Sequence, residues 1–313
     1  MYYNHNMKKK VGVIGLGRMG GGLAQNLLDH KWEVVGYNRT QAVTKELEKA
    51  GLTGAYSLKE LVEKLPKPRV IILMLTAGKA NDEVLFDKDG LAKLLEKGDI
   101  VIDGANSYYK QAQERAKKLA KSGILFVDAG ISGGPGGARN GACCMVGGDS
   151  KTFTFIEPIF KDISIPHGYM HFEGIGAGHF VKMVHNGIEY GMMQSIAEGF
   201  EIMKKSSFNL NLIDVTEIYQ HGSVVTSRLV GWLQDAFNKY GQDLEDVSGS
   251  VGYTGEGEWT AAAARELKVP AKIIEESFKF RVASQKKPSF TGKLLTGMRN
   301  SFGQHSIEKG KMT

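Results

Sequence analysis

The chain has 313 residues, of which 42% are hydrophobic and 24% charged, enough for two domains that each bury a core of their own. No apolar run approaches the roughly 20 residues that span a bilayer, and the first seven residues carry no apolar stretch that could act as a secretory signal. The only two cysteines, Cys143 and Cys144, are adjacent, which disfavours an ordinary structural disulfide. These features point to the cytoplasm. The formal net charge of +6 comes from 40 basic and 34 acidic residues. It suits an ordinary soluble surface, or a field that draws in an anionic small molecule. Nucleic acid is not expected, because the lysines are scattered and no basic stripe is interleaved with aromatics. Glycine is over-represented, at 40 residues against an average near 7%. The excess gathers at 12–22, 130–148 and 174–178, where backbone is expected to turn tightly or to approach a ligand.

From Lys10 to about Phe172, short β-branched runs alternate with helical patterns. The runs are Val11–Ile14, Trp32–Tyr37, Val70–Leu75, Ile100–Asp103, Ile124–Asp128 and Cys144–Val146. Between them lie Met19–Asp29, Ala42–Ala50, Leu58–Leu65 and Tyr109–Ser122. This alternation predicts a mostly parallel, doubly wound sheet of the Rossmann type. Beyond Gly178 the texture is helical only: His179–Lys205, Leu212–His221, Thr226–Tyr240, Trp259–Leu267 and Ala271–Gln285. The fold class expected is therefore α/β, with a Rossmann domain over 1–174 followed by an all-α domain over 175–313. Pro288–Thr313 is polar, basic and weakly periodic, and reads as a tail.

The first run leads into Gly15-Leu16-Gly17-Arg18-Met19-Gly20, which opens a helix. In that strand–turn–helix setting the glycines read as a dinucleotide fingerprint. The first permits the turn, the second lets backbone approach a pyrophosphate, and the third lets helix pack on strand. After the second strand stands Asn38-Arg39-Thr40, where an NAD-specific domain usually has a carboxylate for the ribose 2′-hydroxyl. An uncharged Asn38 beside Arg39 favours the 2′-phosphate of NADP. Arg39 could equally stack on adenine, which leaves NAD open.

The strongest chemical signal is His179–Tyr190. Among apolar residues, Lys182, His185, Asn186 and Glu189 recur at i, i+3, i+4 and i+7, and so share a helical sector of roughly 100°. A solvated face with i,i+4 pairs is the commoner origin of a charge stripe. The order Lys-His-Asn-Glu, entered from a glycine-rich segment after a dinucleotide domain, fits an active site better. A lysine whose burial lowers its proton affinity can take a hydroxyl proton during hydride transfer, and a carboxylate two turns on can act as a separate acid.

Taken together, Gly15–Gly20 with Asn38-Arg39-Thr40, Asp103-Gly104-Ala105-Asn106-Ser107, Ser132-Gly133-Gly134 and Lys182–Tyr190 resemble the 6-phosphogluconate dehydrogenases. These belong to the wider β-hydroxyacid dehydrogenases. The likeness runs from about Lys10 to His305. Lys182-Met183-Val184-His185-Asn186 resembles the 6-phosphogluconate form, since 3-hydroxyisobutyrate-type enzymes usually carry a second Asn at the place of His185. Arg299 and His305 resemble a C-terminal Arg-x5-His element, and Arg281 a second phosphate-binding arginine. Each alone could be a surface cation.

The resemblance implies the following roles. Lys182 is the base and Glu189 the acid of an oxidative decarboxylation that needs no metal, with Asn186 completing the catalytic set. Gly15, Leu16, Gly17, Arg18, Met19, Gly20, Asn38, Arg39, Thr40, Leu75, Thr76, Ala77 and Asn106 hold NADP, or NAD. Asn106, Ser132, Gly133, Gly134, His185 and Asn186 hold the sugar acid. Tyr190, Arg281, Arg299 and His305 hold its phosphate. A homodimer or larger homo-oligomer with shared sites is also implied, in which the tail of one subunit brings Arg299 and His305 to the other. The chain resembles the short form of the family. Thr254 stands where long forms carry a phosphate-contacting lysine, for which Lys286, Lys287 or Lys293 could substitute. Another β-hydroxyacid dehydrogenase acting on a smaller unphosphorylated acid, and a non-catalytic NADP(H) sensor, are the competing readings.

Overall fold

A computed structural model of the protein describes residues 7–308, so most of the segment read above for a signal, and residues 309–313, lie outside the described residues. The chain divides into two compact units, one reaching Lys182 and the other starting at Met183.

The first unit runs β1 (Lys10–Ile14), α1 (Arg18–Asp29), β2 (Glu33–Tyr37), α2 (Gln41–Glu48), β3 (Thr53–Ala55), α3 (Leu58–Glu63), β4 (Val70–Leu73), α4 (Lys79–Phe86) and α5 (Leu91–Leu94). It continues with β5 (Ile100–Asp103), α6 (Tyr109–Ala120), β6 (Leu125–Ser132), α7 (Gly134–Asn140), β7 (Ala142–Gly148), α8 (Ser150–Ile163) and β8 (Ser164–Glu173). The strands form one sheet of order β3-β2-β1-β4-β5-β6-β7-β8, with every neighbouring pair parallel except β6 and β7. The order reverses between β1 and β4, the switch point where open α/β sheets bind ligands beyond their carboxyl ends.

Alternation along the strands explains the continuous apolar runs. Val70, Ile72, Ile100 and Ile102 pack with Leu23, Leu27, Ile156 and Phe160 of α1 and α8 on one face. Ile71, Leu73 and Val101 pack with Leu61 of α3 and Leu119 of α6 on the other. Both faces are covered by helices, so each residue of a central strand must be apolar. The α/β expectation and its doubly wound sheet hold. Two strands escape the pattern. β3 has only three residues, and β8 combines Pro166, a left-handed His167 (φ 60°) and Gly168, and none of its residues except Gly168 is buried. An outer strand with so little to bury carries no clear alternation.

α9 (Ala177–Lys205) starts in the first unit and continues into the second. There it is followed by α10 (Leu212–Tyr219), α11 (Arg228–Tyr240), α12 (Gly255–Glu266), α13 (Lys272–Ser284) and α14 (Phe290–Gly303). Among the described residues the second unit contains no strand, in line with the all-α expectation. Its core joins Met193, Ala197 and Phe200 of α9 to Leu229, Leu233 and Phe237 of α11 and Leu294, Leu295 and Met298 of α14.

The segment read as a tail is thus a packed helix over most of its length. Ser289 caps α14 by accepting the Gly292 N–H, and Gly297 lets the helix approach α11, where an added Cβ would come 3.0 Å from Ala236 Cβ. Glycines and threonines at the contact dilute the apolar period, which is why the sequence reads as unstructured there.

Candidate active site

The glycine turn does three separate jobs. Gly15 has φ 90°, a left-handed conformation that favours glycine, and a Cβ on it would lie 2.4 Å from Met74 O. A Cβ on Gly20 would lie 1.8 Å from Gly15 O, so the third glycine is a packing requirement. Gly17, the residue before α1, has nothing within 4 Å of its added Cβ, and no side chain caps the helix. A helix start without a side-chain cap, beside open space, suits a pyrophosphate. The residues present therefore fit the dinucleotide that the fingerprint implies. Asn38 also supports the turn: its Oδ1 accepts the Leu16 N–H at 3.0 Å, while its Nδ2 donates to Thr40 O at 3.2 Å. Arg39 next to it is exposed.

Leu75, Thr76 and Ala77 follow β4, at the same carboxyl edge of the sheet as the glycine turn. Asn106, after β5, holds a left-handed backbone (φ 50°), and its amide clasps β6. The Oδ1 accepts the Ile131 N–H at 3.0 Å and the Nδ2 donates to Ile131 O at 3.3 Å. This fixes the approach to Ser132, where Gly133 (φ 118°) and Gly134 (φ 62°) then turn the chain into α7.

Behind these loops lies a buried charge network that sequence reasoning missed. Arg115 of α6 donates to Asp82 at 2.9 Å, Gly78 O at 3.0 Å and Ser107 Oγ at 3.1 Å, and reaches Asp103 at 3.4 Å. His179 of α9 lies 3.6 Å from Asp103, an ion-pair distance too long for a hydrogen bond. Burial alone would drive Asp103 towards its neutral form, but His179, the Ala105 N–H and Arg115 outweigh it and hold the carboxyl below its usual range. Burial also opposes a charged His179, yet Asp103 and Asp128 outweigh it and leave the imidazole above its ordinary value. The available signal was a charged residue at the end of each of two apolar runs, Asp103 and Asp128.

Lys182 is buried, with 5% of its surface exposed. Further along α9, His185 Nδ1 is 2.9 Å from Asn186 Oδ1 and 3.9 Å from Glu189 Oε2. Tyr190 is buried beneath Arg281 of α13, whose guanidinium carbon sits 3.4 Å from the ring centroid. The Tyr190 hydroxyl accepts the Thr254 N–H at 3.3 Å, and Gly257 leaves room for the ring, since its Cβ would lie 2.5 Å from Tyr190 Cε2.

Arg299 of α14 is 94% buried in the same chain, against Gly252, where a Cβ would approach its Nη1 to 2.8 Å. Ser284 and Gln285, at the end of α13, hold the neighbouring Val251 backbone through hydrogen bonds of 2.9 and 2.7 Å. Burial and then the charge of Arg281 push the Arg299 guanidinium down to about 10. Neither arginine has a salt-bridge partner among the described residues. The structure thus brings Tyr190, Arg281 and Arg299 together within one chain. The sequence expectation that a partner's tail supplies Arg299 concerns an assembly of chains; within the single chain, α14 carries Arg299 and packs in the same core as α11. The His305 ring folds back on Phe302, 5.9 Å between centroids, and over Gly303. The Lys293 ammonium is spent on Leu244 O and Glu245 O, at 2.9 and 3.2 Å.

Comparison with known proteins follows the same division. Residues 10–171 match the family described as the NAD binding domain of 6-phosphogluconate dehydrogenase, and residues 178–293 match the 6-phosphogluconate dehydrogenase C-terminal domain. YqeC of Bacillus subtilis (strain 168) is 41% identical over 300 residues, 96% of this chain and 99% of its own. The NAD(+)-dependent, decarboxylating 6-phosphogluconate dehydrogenase of Haloferax volcanii is 36% identical over 301 residues, with the same two coverages of 96% and 99%. Among solved structures, the 6-phosphogluconate dehydrogenase of Plasmodium falciparum, described with NADP+ and with 6-phosphogluconate, superimposes with a TM-score of 0.78. It is 31% identical over 88% of this chain, which spans 62% of that longer one.

Proposed function

The chain belongs to the 6-phosphogluconate dehydrogenase family, and from that premise we propose that it oxidises and decarboxylates 6-phosphogluconate to ribulose 5-phosphate and CO2, with NADP as the preferred hydride acceptor. The observation that carries this reading is the pair of buried guanidiniums, Arg281 stacked on Tyr190 and Arg299 close enough for the charge of Arg281 to act on it, neither in a salt bridge among the described residues. Two desolvated like charges are costly to bury, and a phosphate dianion is the ligand that offsets them.

The Gly15–Gly20 turn and the start of α1 would hold the pyrophosphate. Arg39, with Asn38 and Thr40, would take the 2′-phosphate, and Leu75, Thr76, Ala77 and Asn106 would line the remainder. A bound nicotinamide supplies the hydride acceptor. Lys182 takes the proton from the C3 hydroxyl as that carbon is oxidised to a ketone. The resulting 3-keto acid loses CO2, and its electron pair flows into an enol whose oxygen the Lys182 ammonium stabilises. Glu189 then protonates the carbon that lost CO2. His185, Asn186 and Ser132-Gly133-Gly134 hold the sugar hydroxyls and carboxylate. Tyr190, Arg281 and Arg299 hold the phosphate, with His305 as a further contact. We propose that sequences 1–174 and 175–313 divide these tasks between cofactor and substrate.

The test follows reduced-nicotinamide absorbance with 6-phosphogluconate or gluconate, and with NADP or NAD. Turnover on the phosphorylated acid, stoichiometric CO2 and a higher kcat/KM with NADP are expected. Asn38→Asp with Arg39→Leu should move the preference to NAD, because an aspartate keeps the acceptor that Leu16 N–H needs while the cation is lost. Equal turnover of gluconate would overturn the substrate assignment. A higher kcat/KM with NAD in the unmodified enzyme would overturn the cofactor assignment.

A further inference from the structure

We propose that Asp128 and Gly130, two positions apart on β6, are positioning residues that fix Lys182 at its root. The inference rests on the reading of Lys182 as the proton-transferring base.

Asp128 is fully buried and spends both carboxylate oxygens on the entry to α9. Its Oδ1 accepts the Gly176 N–H at 2.5 Å and its Oδ2 accepts the His179 N–H at 2.7 Å. These N–H groups lie at and just before the first turn of the helix, where no backbone acceptor exists within the helix itself. A carboxylate there also meets the positive end of the helix dipole. The hooked turn cannot slide, because backbone meets backbone beside it. A Cβ on Gly178 would lie 2.4 Å from Met145 O, and one on Gly147 would lie 2.5 Å from Gly178 N.

Gly130 acts one step further along. Residues i and i+2 of a strand face the same side, and residues i and i+3 of a helix lie over one another. The pair Asp128 and Gly130 is therefore matched to the pair His179 and Lys182. Where Asp128 grips the His179 N–H, Gly130 leaves open the space through which the lysine stem passes. A Cβ on Gly130 would come 2.2 Å from Lys182 Cβ and 2.7 Å from its Cγ. The stem is thus registered against the same strand that leads into Ser132-Gly133-Gly134. Holding a reacting group within a fraction of an ångström is worth a large factor in rate, and a displacement near 1 Å costs on the order of 100-fold.

The experiment compares Asp128→Asn and Gly130→Ala with the unmodified full-length enzyme, using two readouts. In steady-state kinetics both variants should lose kcat by roughly 10- to 100-fold, with the KM for the dinucleotide unchanged. In the absence of substrate, brief acetylation followed by peptide mass mapping should show faster labelling of Lys182 alone, while the surface lysines keep their rates. An amide at 128 cannot accept both N–H groups, so Asp128→Asn loosens the turn. Gly130→Ala displaces the stem without touching the hooks, and it decides the matter if Asp128→Asn does not fold. Unchanged kcat and unchanged Lys182 labelling in a folded variant would overturn the proposal. So would faster labelling of all lysines together, which would mean general loosening. An unmodified enzyme with no turnover on 6-phosphogluconate would instead sink the proposed function, and the Lys182 labelling pattern would still decide on the clamp.

Discussion

The Arg281 guanidinium lies 3.4 Å from the centre of the Tyr190 ring, and the charge of Arg281 bears directly on Arg299. Two like charges are thus buried close to one another. A stacked cation gains about 2 kcal/mol from a desolvated ring, which lessens the cost of burying Arg281 but does not remove its repulsion of Arg299. Glu189 and Glu256 act on both guanidiniums in the opposite sense without forming a salt bridge to either.

Arg281→Met should therefore separate stability from function. Methionine keeps much of the packing on Tyr190 and removes a buried unpaired charge, so the Tm is expected to stay level or rise. The KM for 6-phosphogluconate should rise on the order of 10- to 100-fold, the worth of a charged hydrogen bond of about 1.5–3 kcal/mol. Thermal melts and kinetics on the same preparation check both halves. A lowered Tm with an unchanged KM would return Arg281 to a purely structural role.

The glycine turn allows a second separation. Gly20→Ala forces a Cβ against Gly15 O, where it would sit at 1.8 Å, so overpacking should cost at least about 1–3 kcal/mol of stability. Gly17→Ala meets nothing within 4 Å, so stability should change by less than about 0.5 kcal/mol. Its methyl group instead enters the open space beside the helix start, and NADP should bind about tenfold or more weakly, a loss of roughly 1.4 kcal/mol. Denaturant melts and dinucleotide titration distinguish the two. Tight NADP binding by Gly17→Ala would move the pyrophosphate away from α1.

The parts legible in the sequence were those where one residue type answers one local demand. Gly15, Gly17 and Gly20 announce their turn by spacing, and Val70–Leu73 announces a strand covered on both faces. The stripe from Lys182 to Glu189 follows from helical periodicity alone. Less legible was whatever depends on a neighbour distant in sequence. Asp128 looks like a strand-ending polar residue until the start of α9 supplies the two N–H groups it accepts. Gly130 looks like one glycine among many until Lys182 passes beside it. Thr291, Gly292 and Gly297 hide α14 because they are small to fit against other elements, and smallness weakens a hydrophobic period. Arg299 stands out in the sequence by its spacing to His305, but its burial beside Gly252 depends on packing distant in sequence.

The His179–Asp103 pair sets a pH dependence. The imidazole is raised above its ordinary value, so its contribution is complete below the unfolded value near 6.5 and fades as pH rises through the folded one. The Asp103 carboxyl is lowered, so its contribution is complete above about 3.9 and fades as pH falls through the folded value. Asp128, whose own carboxyl burial raises above its usual range, favours the charged imidazole, and the charge of Arg115 opposes it. The stability advantage of the unmodified chain over His179→Gln should therefore be larger at pH 6 than at pH 9. Denaturant melts at the two pH values measure it. An advantage that grows towards pH 9 would mean that His179 is buried neutral.

The position of Arg299 bears on whether sites are shared between subunits. It reaches Gly252 and the neighbourhood of Arg281 within its own chain, held there by the burial of Leu294, Leu295 and Met298 in the same core as Phe237. Lys182→Met and Arg299→Ala, each inactive alone, can be mixed under conditions where differently tagged chains are shown to exchange. If a partner supplied Arg299, a mixed assembly would contain one site with both Lys182 and Arg299 intact, and activity would return in part. If each chain supplies its own, every site in the mixture lacks one of the two, and no activity returns. The within-chain packing of α14 predicts no recovery. Recovery in proportion to the mixed species would mean that α14 exchanges between subunits in solution, with the same helix contacts made across the pair.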